Sequence, residues 1–426
     1  MSNASTTSAG PHESVDAFRA RARVWLADNM PPATIADRTK EGRFDVERTL
    51  QRRLWDGGFA GICFPADYGG LGLPVEYQHA FTEEAMAYDM PTSMNVPTFG
   101  ILAATLIDFG THEQKLRHLP AILRGEELWV QFLSEPSGGS DLAGCLTKAE
   151  HDGDVFVLSG SKIWSSSAYV SDYAMCLART NWDVPKHRGL TMFIVKIHQP
   201  GIQVDQIRQV DGTMEFCQEF FDDVPLPVAD VVGAIDDGWT VASRLLVHER
   251  NAVGGGSPYT SGRSTGHESS GAEDQLVAVA QASGRAHDAR VRDLIARAHV
   301  DQLVRSQLVD RITTGVTTGK MVPPCSSIIK LFGANVAIDR AEIGLELAGV
   351  GGVAWPSDTD SDPARSLGQA SLSRQGIALG GGSNEIQRNI ISERVLGMPR
   401  EYAADREVPY RDVRRGPSSS TRSSST

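Results

Sequence analysis

Three short stretches hold residues whose types and spacing could do chemistry. In "QFLSEPSGGSDLAGCLTKAE", Gln131 to Glu150, a strand runs into a turn containing Pro136, Gly138 and Gly139, flanked by Ser134 and Ser140. Backbone N–H groups and hydroxyls in such a turn can hold a phosphate, although a plain surface turn has the same composition. In "SGSKIWSSSAYVSDY", Trp164 follows a strand and precedes three serines. An indole there either fills a core or stacks on a planar cofactor. In "IALGGGSNEIQRNIISERVLG", Gly380, Gly381 and Gly382 rule out a helix interior, where each glycine costs roughly 1 kcal/mol relative to alanine. Ser383 sits where an N-cap belongs, and Ile386, Ile390, Ile391 and Val395 line one face of the helix that follows. A loop feeding a helix N-terminus presents N–H groups to an anion, yet this one carries no acid, base or nucleophile. A reactive side chain has to come from elsewhere.

The elements that must position these stretches form three blocks. Residues 14–125 are helical in pattern; in "VDAFRARARVWLADNM" Phe18, Ala22, Trp25 and Leu26 share a face. Residues 126–233 change to strands rich in β-branched and aromatic residues, including "WVQFLS", "DVFVLSG", "YAMCLART", "LTMFIVKI" and "MEFCQEFFDDV". Residues 234–400 return to helices, the longest over about 237–251, 275–318 and 324–348. Without βαβ alternation, a doubly wound parallel sheet is not expected. Residues 253–274 are too rich in Gly and Ser to stay helical and read as a solvated insertion or a mobile lid. Residues 1–13 and 401–426 are low-complexity or polar and expected to be mostly disordered.

Composition removes several functions. A formal net charge of −12 argues against general affinity for nucleic acid or acidic lipid. No apolar run approaches the roughly 18 residues of a membrane span, and no basic-then-apolar secretory leader opens the chain. The five cysteines are scattered without C-x-x-C, as expected of buried or idle thiols in a reducing cytoplasm. The eleven histidines include no H-E-x-x-H pair, and no metal site is expected.

Taken together and in order, these stretches resemble the acyl-CoA dehydrogenase family from about Ser14 to Arg400. "GFAGICFPADYGGLGL" is similar to its helix-domain signature, "LSEPSGGSD" and "GSKIWSSSA" to its two flavin motifs, and "FFDDVPLP…GWTVASRLLVHER" to the entry of its C-terminal domain. "GGGSNEIQRNIISERVLG" resembles its closing signature. The resemblance implies an α+β protein: an N-terminal helical domain, a middle β-barrel or sandwich, and a C-terminal four-helix bundle. It implies FAD as cofactor, with Gln131, Leu133 and Ser134 lining the flavin, Ser140 at the pyrophosphate, Trp164 over the isoalloxazine and Ser166 reaching N5. Ser383 and Glu385 match positions that also touch FAD. The implied reaction oxidises a saturated acyl thioester to its trans-2-enoyl form: a carboxylate removes the α-proton while the β-carbon gives up a hydride. An α C–H is a very weak acid in water, so that carboxylate has to lie where water is excluded.

Many relatives carry this base two residues before the Ser of the closing motif, where this chain has Gly381. Some branches use instead a glutamate on the first helix of the C-terminal domain, followed by arginine; Glu249 and Arg250 occupy that position. The resemblance thus implies Glu249 as the base, with Ser140, Arg250 and Gly381 near the substrate. Without it, a Glu–Arg pair on a helix reads as solvated surface, and His248 as packing or solvated. Two departures concern assembly. The R-K-x-F-G segment by which family homotetramers grip a neighbour's FAD is missing, and Leu345 stands where a glutamine is expected in "LELAGVGG". The implied partners are an acyl thioester, an electron-transfer flavoprotein or similar acceptor, and either further copies of this chain or a second family member in a mixed tetramer. A catalytically silent partner subunit and an oxidase-like relative are the alternatives.

Overall fold

The structure, a computed structural model, describes residues 13–32, 42–253, 256–261, 271–354 and 363–413. Residues 1–12 and 414–426 of the two expected tails, and 254–255 and 262–270 of the expected insertion, lie outside the described residues. The chain divides into two compact units, the first drawn from Met1–Ile207, Glu215–His267 and Glu407–Thr426, the second from Arg208–Met214 and Glu268–Arg406.

The first unit opens with helices α1 (Val15–Asn29), α2 (Arg43–Asp56), α3 (Val75–Ala85), α4 (Thr92–Pro97), α5 (Ala104–Phe109) and α6 (His112–Leu123); a π-helical segment, Thr98–Ala103, joins α4 to α5. Ser14 caps α1 by accepting from Ala17 N, and Phe18, Ala22 and Leu26 are buried at the expected helical spacing. A reciprocal capping box between Thr111 and Gln114 starts α6.

An eight-stranded sheet follows: β1 (Trp129–Phe132), β2 (Lys148–Asp152), β3 (Val155–Ser166), β4 (Tyr173–Arg179), β5 (Leu190–Lys196), β6 (Ile202–Gln206), β7 (Phe216–Pro227) and β8 (Val231–Val232). The order is β6-β7-β3-β2-β4-β5-β8, with β1 pairing parallel to β4. Strands β4 and β5 are continuous apolar runs because they are covered on both faces. Met175, Leu177, Met192 and Ile194 join a core with helical residues, while Ala174, Cys176, Phe193 and Val195 join another with Phe132, Phe156 and Phe221. Strands β2 and β6 were not expected, since "KAEHD" and "IQVDQ" are mostly polar; ladder pairing with β3 and β7 imposes their conformation.

Helix α7 (Gly238–Val253) buries Val241, Ala242, Leu245 and Ala252 in the first unit's core. Although it falls within the expected 234–400 block, it groups with the sheet. Gly238 makes this possible: a Cβ there would lie 2.6 Å from the Thr191 carbonyl carbon on β5. The solvated reading of the insertion does not hold for its described part. Ser257 is buried, and the Tyr259 ring packs edge-on to Phe64 at 4.8 Å between centroids. The tail from 401 likewise contains a packed segment. Tyr410 is buried, its hydroxyl donates to Gly144 O at 2.5 Å, and its ring stacks with Trp182.

The second unit is a helical bundle of α8 (Gly271–Ala282), α9 (Ala289–Thr317), α10 (Ser326–Ala348), α11 (Pro363–Leu379) and the short α12 (Asn384–Ile390). Leu276, Val279, Val291, Leu294, Ile343, Leu347 and Leu367 form its core. The single helix expected over 275–318 is broken: Gly284 adopts φ +69°, and Asp288 restarts the chain by accepting from the N–H groups of Arg290 and Val291. The helix–sheet–helix architecture expected from the sequence is the one observed. No helix among the described residues is long and apolar enough to cross a membrane.

Candidate active site

Strand β1 ends in the first glycine-bearing turn, whose base is built from buried charge. Lys162, on β3, is fully buried; its Nζ donates to Glu135 Oε1 at 2.9 Å and to Leu133 O at 3.0 Å. Glu135 in turn accepts from Leu146 N at 2.7 Å and Thr147 N at 2.9 Å, closing the segment into a strap. Burial alone would push Glu135 up, but Lys162 and these N–H groups outweigh it and hold the carboxyl at about 2. The far side of the strap is fixed by Arg179, also fully buried, which donates to Ala143 O at 2.6 Å and Cys145 O at 3.0 Å. Its guanidinium lies 3.8 Å from the centroid of the Tyr410 ring. Between these anchors Pro136, Ser137, Gly138, Gly139 and Ser140 are exposed, Ser134 partly so, and a Cβ at Gly138 would meet nothing within 4 Å. The strap therefore presents an open tip on a rigid base.

The end of β3 runs beside this strap, with Ile163 N donating to Ser134 O at 3.0 Å. The ladder with β7 slips by one residue between Ile163 and Ser165, and Trp164 occupies the bulge at φ +68°. That conformation is rare for a bulky residue and re-aims its side chain. The indole is 55% exposed, touching Phe216 edge-on at 5.9 Å. Core filling, the commoner fate of a tryptophan, is thus not what this one does. Ser166 is exposed next to it, whereas Ser165 points inward and donates to Glu219 Oε2 at 3.0 Å. Glu219 is fully buried directly across the ladder from Lys162, and its Oε1 has no hydrogen-bond partner among the described residues. Burial pushes it up to about 7, against smaller opposing effects of Ser165 and Lys162. One ammonium thus faces two carboxyls, and the one without a direct ion pair is the one driven toward its neutral form.

Helix α7 carries Glu249 at the edge of its buried stripe, four residues beyond Leu245. Gln131 Nε2 donates to Glu249 Oε2 at 2.9 Å, so the structure brings these two expected site residues together across 118 positions of sequence. Arg250 is partly buried beside it. His248 faces the other way chemically: its Nε2 lies 2.9 Å from Asp108 Oδ2, which also accepts from Arg244 at 2.6 Å.

In the second unit, Ser383 caps α12 by accepting from Ile386 N, as its position implies. Gly381 and Gly382 adopt φ +68° and +86°, and both carbonyls accept from Gln387 Nε2. Glu385 is exposed and ion-paired with Arg388 at 3.5 Å. Gln131, Leu133, Ser134, Ser140, Trp164, Ser166, Glu249 and Arg250 all belong to the first unit; Gly381, Ser383 and Glu385 belong to the second. Sequence reasoning missed Glu135, Lys162, Arg179 and Glu219. The signal was charged residues inside strand-spaced apolar runs, which require buried partners.

Models of one family match the chain in order: the acyl-CoA dehydrogenase N-terminal domain over residues 12–126, the middle domain over 131–224 and the C-terminal domain over 236–396. The acyl-CoA dehydrogenase IpdE1 of Mycobacterium tuberculosis is 37% identical over 395 residues, covering 91% of this chain and 99% of that protein. The chain belongs to the acyl-CoA dehydrogenase family. IpdE1 of Mycolicibacterium smegmatis is 34% identical over 404 residues, covering 91% of this chain and 98% of that protein. Among solved structures, the Tcur3481-Tcur3483 steroid ACAD superposes with TM-score 0.74 at 27% identity, over 92% of this chain and 99% of that one. The ChsE4-ChsE5 complex from Mycobacterium tuberculosis does so with TM-score 0.70 at 26% identity, over 92% and 99%. Acyl-CoA dehydrogenase chemistry is an oxidoreduction, and the family is associated with FAD.

Proposed function

We propose that this acyl-CoA dehydrogenase oxidises a saturated acyl thioester to the trans-2-enoyl thioester, with Glu249 as the base that takes the α-proton. The observation that carries this reading is the Gln131–Glu249 hydrogen bond, which sets a carboxylate beside the strand that opens the first flavin motif. The alternative position is Gly381, which has no side chain to offer. FAD, when bound, supplies the acceptor for the β-hydride. This chain's residues suit such a group. Trp164 offers an exposed aromatic face on a strained bulge, Ser166 stands next to it, and the strap tip gives Ser134 and Ser140 hydroxyls beside glycines. Gln131 and Leu133 would line the ring; Ser383 and Glu385 are assigned to FAD by the family resemblance alone. Arg250, Ser140 and Gly381 would face the thioester. Glu249 removes the proton as the two reacting C–H bonds are held in place, which is most of what the protein has to supply.

The substrate class we assign is a bulky, ring-bearing acyl thioester of the steroid-derived kind, supported by the solved steroid ACAD. Its electrons pass to an electron-transfer flavoprotein or a similar acceptor. We also propose that the chain works in an oligomer. Val300, Leu303 and Val304 form an exposed apolar row on α9 at helical spacing, and the ChsE4-ChsE5 structure is of a complex. The absent R-K-x-F-G segment favours a mixed tetramer with a second family member over a homotetramer; a silent or half-active partner subunit is the alternative reading.

Anaerobic titration of the purified protein, alone and with a candidate partner chain, tests the function. Ring-bearing acyl thioesters should bleach the flavin absorbance stoichiometrically, and straight short chains should do so weakly. Saturable FAD binding without bleaching by any thioester would support the silent-subunit reading. Trp164→Ala should weaken flavin retention about fivefold, through loss of a stacked face worth roughly 1 kcal/mol. Unchanged retention and an unchanged flavin spectrum would remove Trp164 from the cofactor site.

A further inference from the structure

We infer that Gln131 is a positioning residue for proton abstraction: its side-chain amide tethers Glu249 in the rotamer from which the carboxylate works. This rests on Glu249 being the base. Strand β1 alternates between two cores, Val130 and Phe132 entering one and Trp129 the other, so Gln131 stands at a position where an apolar residue would fill the Trp129 side. It is also the strand's least buried residue. A polar side chain there needs a reason.

Two buried scaffold glutamines give a contrast with Gln131. Gln114 uses both ends of its amide: Nε2 donates to Ala229 O and Val231 O, and Oε1 accepts from Thr111 N. Gln51 does the same, with Nε2 on Leu123 O and Oε1 accepting from Asn95 Nδ2. Gln131 is different. Its Nε2 reaches Glu249 at 2.9 Å, while its Oε1, shielded from solvent, has no hydrogen-bond partner among the described residues. A buried acceptor left unpaired is costly. Gln387, which braces the turn before α12, also leaves its Oε1 unpaired among the described residues. What sets Gln131 apart is the target of its donor, a carboxylate and not a backbone carbonyl. What it does is hold one carboxylate oxygen.

The chemistry of the donor matters. A lysine or arginine in its place would tether Glu249 equally well, but its full positive charge would strongly favour the ionised carboxylate and weaken it as a base. A neutral amide fixes position at much smaller cost to basicity. It also acts across elements, from β1 to α7, so the carboxylate's reach is set by the sheet and not only by its own helix. A displacement of about 1 Å at a reacting group can cost on the order of 10²-fold in rate, which leaves room for this tether to matter.

The test is a double-mutant cycle read by rapid-reaction flavin reduction at saturating thioester. Gln131→Met keeps length and removes the donor; the reduction rate, measured per bound flavin, should fall about tenfold, with thioester KM unchanged within about twofold. In the Glu249→Gln background the same substitution should cause no further loss. Gln131→Asn, whose donor is drawn back by one methylene, should behave like Gln131→Met and provides the comparison if the methionine variant folds poorly. The unfolding midpoint of the full chain should hold in both, since an unpaired acceptor is removed or retracted. An equal loss in both backgrounds, or no loss in the wild-type background, would overturn the inference while leaving Glu249 in place. Normal reduction in Glu249→Gln alone would overturn the base assignment, and this inference with it.

Discussion

The two glycine-rich turns of this protein are built on opposite plans. The strap after β1 is held by buried charge: Lys162 and Glu135 at one end, Arg179 and Tyr410 at the other, with only its tip exposed. The turn before α12 is held by backbone conformation, with two successive glycines at positive φ and a single amide, Gln387, on their carbonyls. In the first, side chains fix the backbone and the tip is free to carry hydroxyls. In the second, the backbone itself excludes side chains. A carboxylate is therefore out of place at Gly381. The base we propose, Glu249 on α7, is held by a side chain from a strand.

Breaking the first plan should have the largest effect on stability. Lys162→Met leaves Glu135 buried without its cation, which should cost about 3–5 kcal/mol. Thermal unfolding with parallel FAD titration should show a large fall in midpoint together with lost flavin binding. Restoring neutrality with Glu135→Gln in the same chain should recover much of the stability, and a Lys162→Met variant as stable as wild type would mean that the strap does not depend on the pair.

The second carboxyl, across the ladder from Lys162, gives a pH signature of the same plan. Glu219 is raised to about 7, so it binds its proton more tightly in the folded protein than in the unfolded chain. Its contribution to stability is fully present below the ordinary carboxylate value and is lost as pH rises through about 7. Glu219→Gln should therefore match wild type near pH 4 and be more stable by about 1–3 kcal/mol above pH 8, the sign being opposite to that of Glu135. For Glu135, held at about 2, the contribution is present above the usual carboxylate range and disappears as pH falls through about 2. Unfolding midpoints across pH 4–9 for both proteins would check this, and parallel curves would contradict it.

The smallest effect tests the second plan. Gly381→Glu forces a side chain into φ +68°, at a cost of roughly 1–2 kcal/mol. Placed in a Glu249→Gln background, it should lower the unfolding midpoint slightly and leave flavin reduction at the level of Glu249→Gln alone. Substantial recovery would show that the two turns are more alike than their backbones indicate.

Much of this was legible in the sequence, and the reasons for the rest are physical. Apolar periodicity identified α1 through Phe18, Ala22 and Leu26, and the doubly covered β4 and β5 read as strands because both faces are apolar. Strands β2 and β6 did not, because their conformation comes from the ladder. Trp164 is the instructive case: composition favours the core, but a one-residue bulge turns the indole outward, and no local pattern announces a register slip. Glu135 and Lys162 lay inside the flavin motifs without being singled out, since whether a charge points in or out depends on that same register. The closing motif and Glu249–Arg250 were legible through family resemblance. The Gln131–Glu249 bond was not, because it joins residues 118 positions apart.

The central claim is that Glu249 removes the α-proton, and rapid-reaction flavin reduction in wild type and Glu249→Gln under saturating acyl thioester tests it most directly. Glutamine keeps the shape and removes the basic oxygen, so FAD and thioester should bind as before while the reduction rate falls by about 10²–10⁴-fold or more. Equal reduction rates in the two proteins would place the base elsewhere.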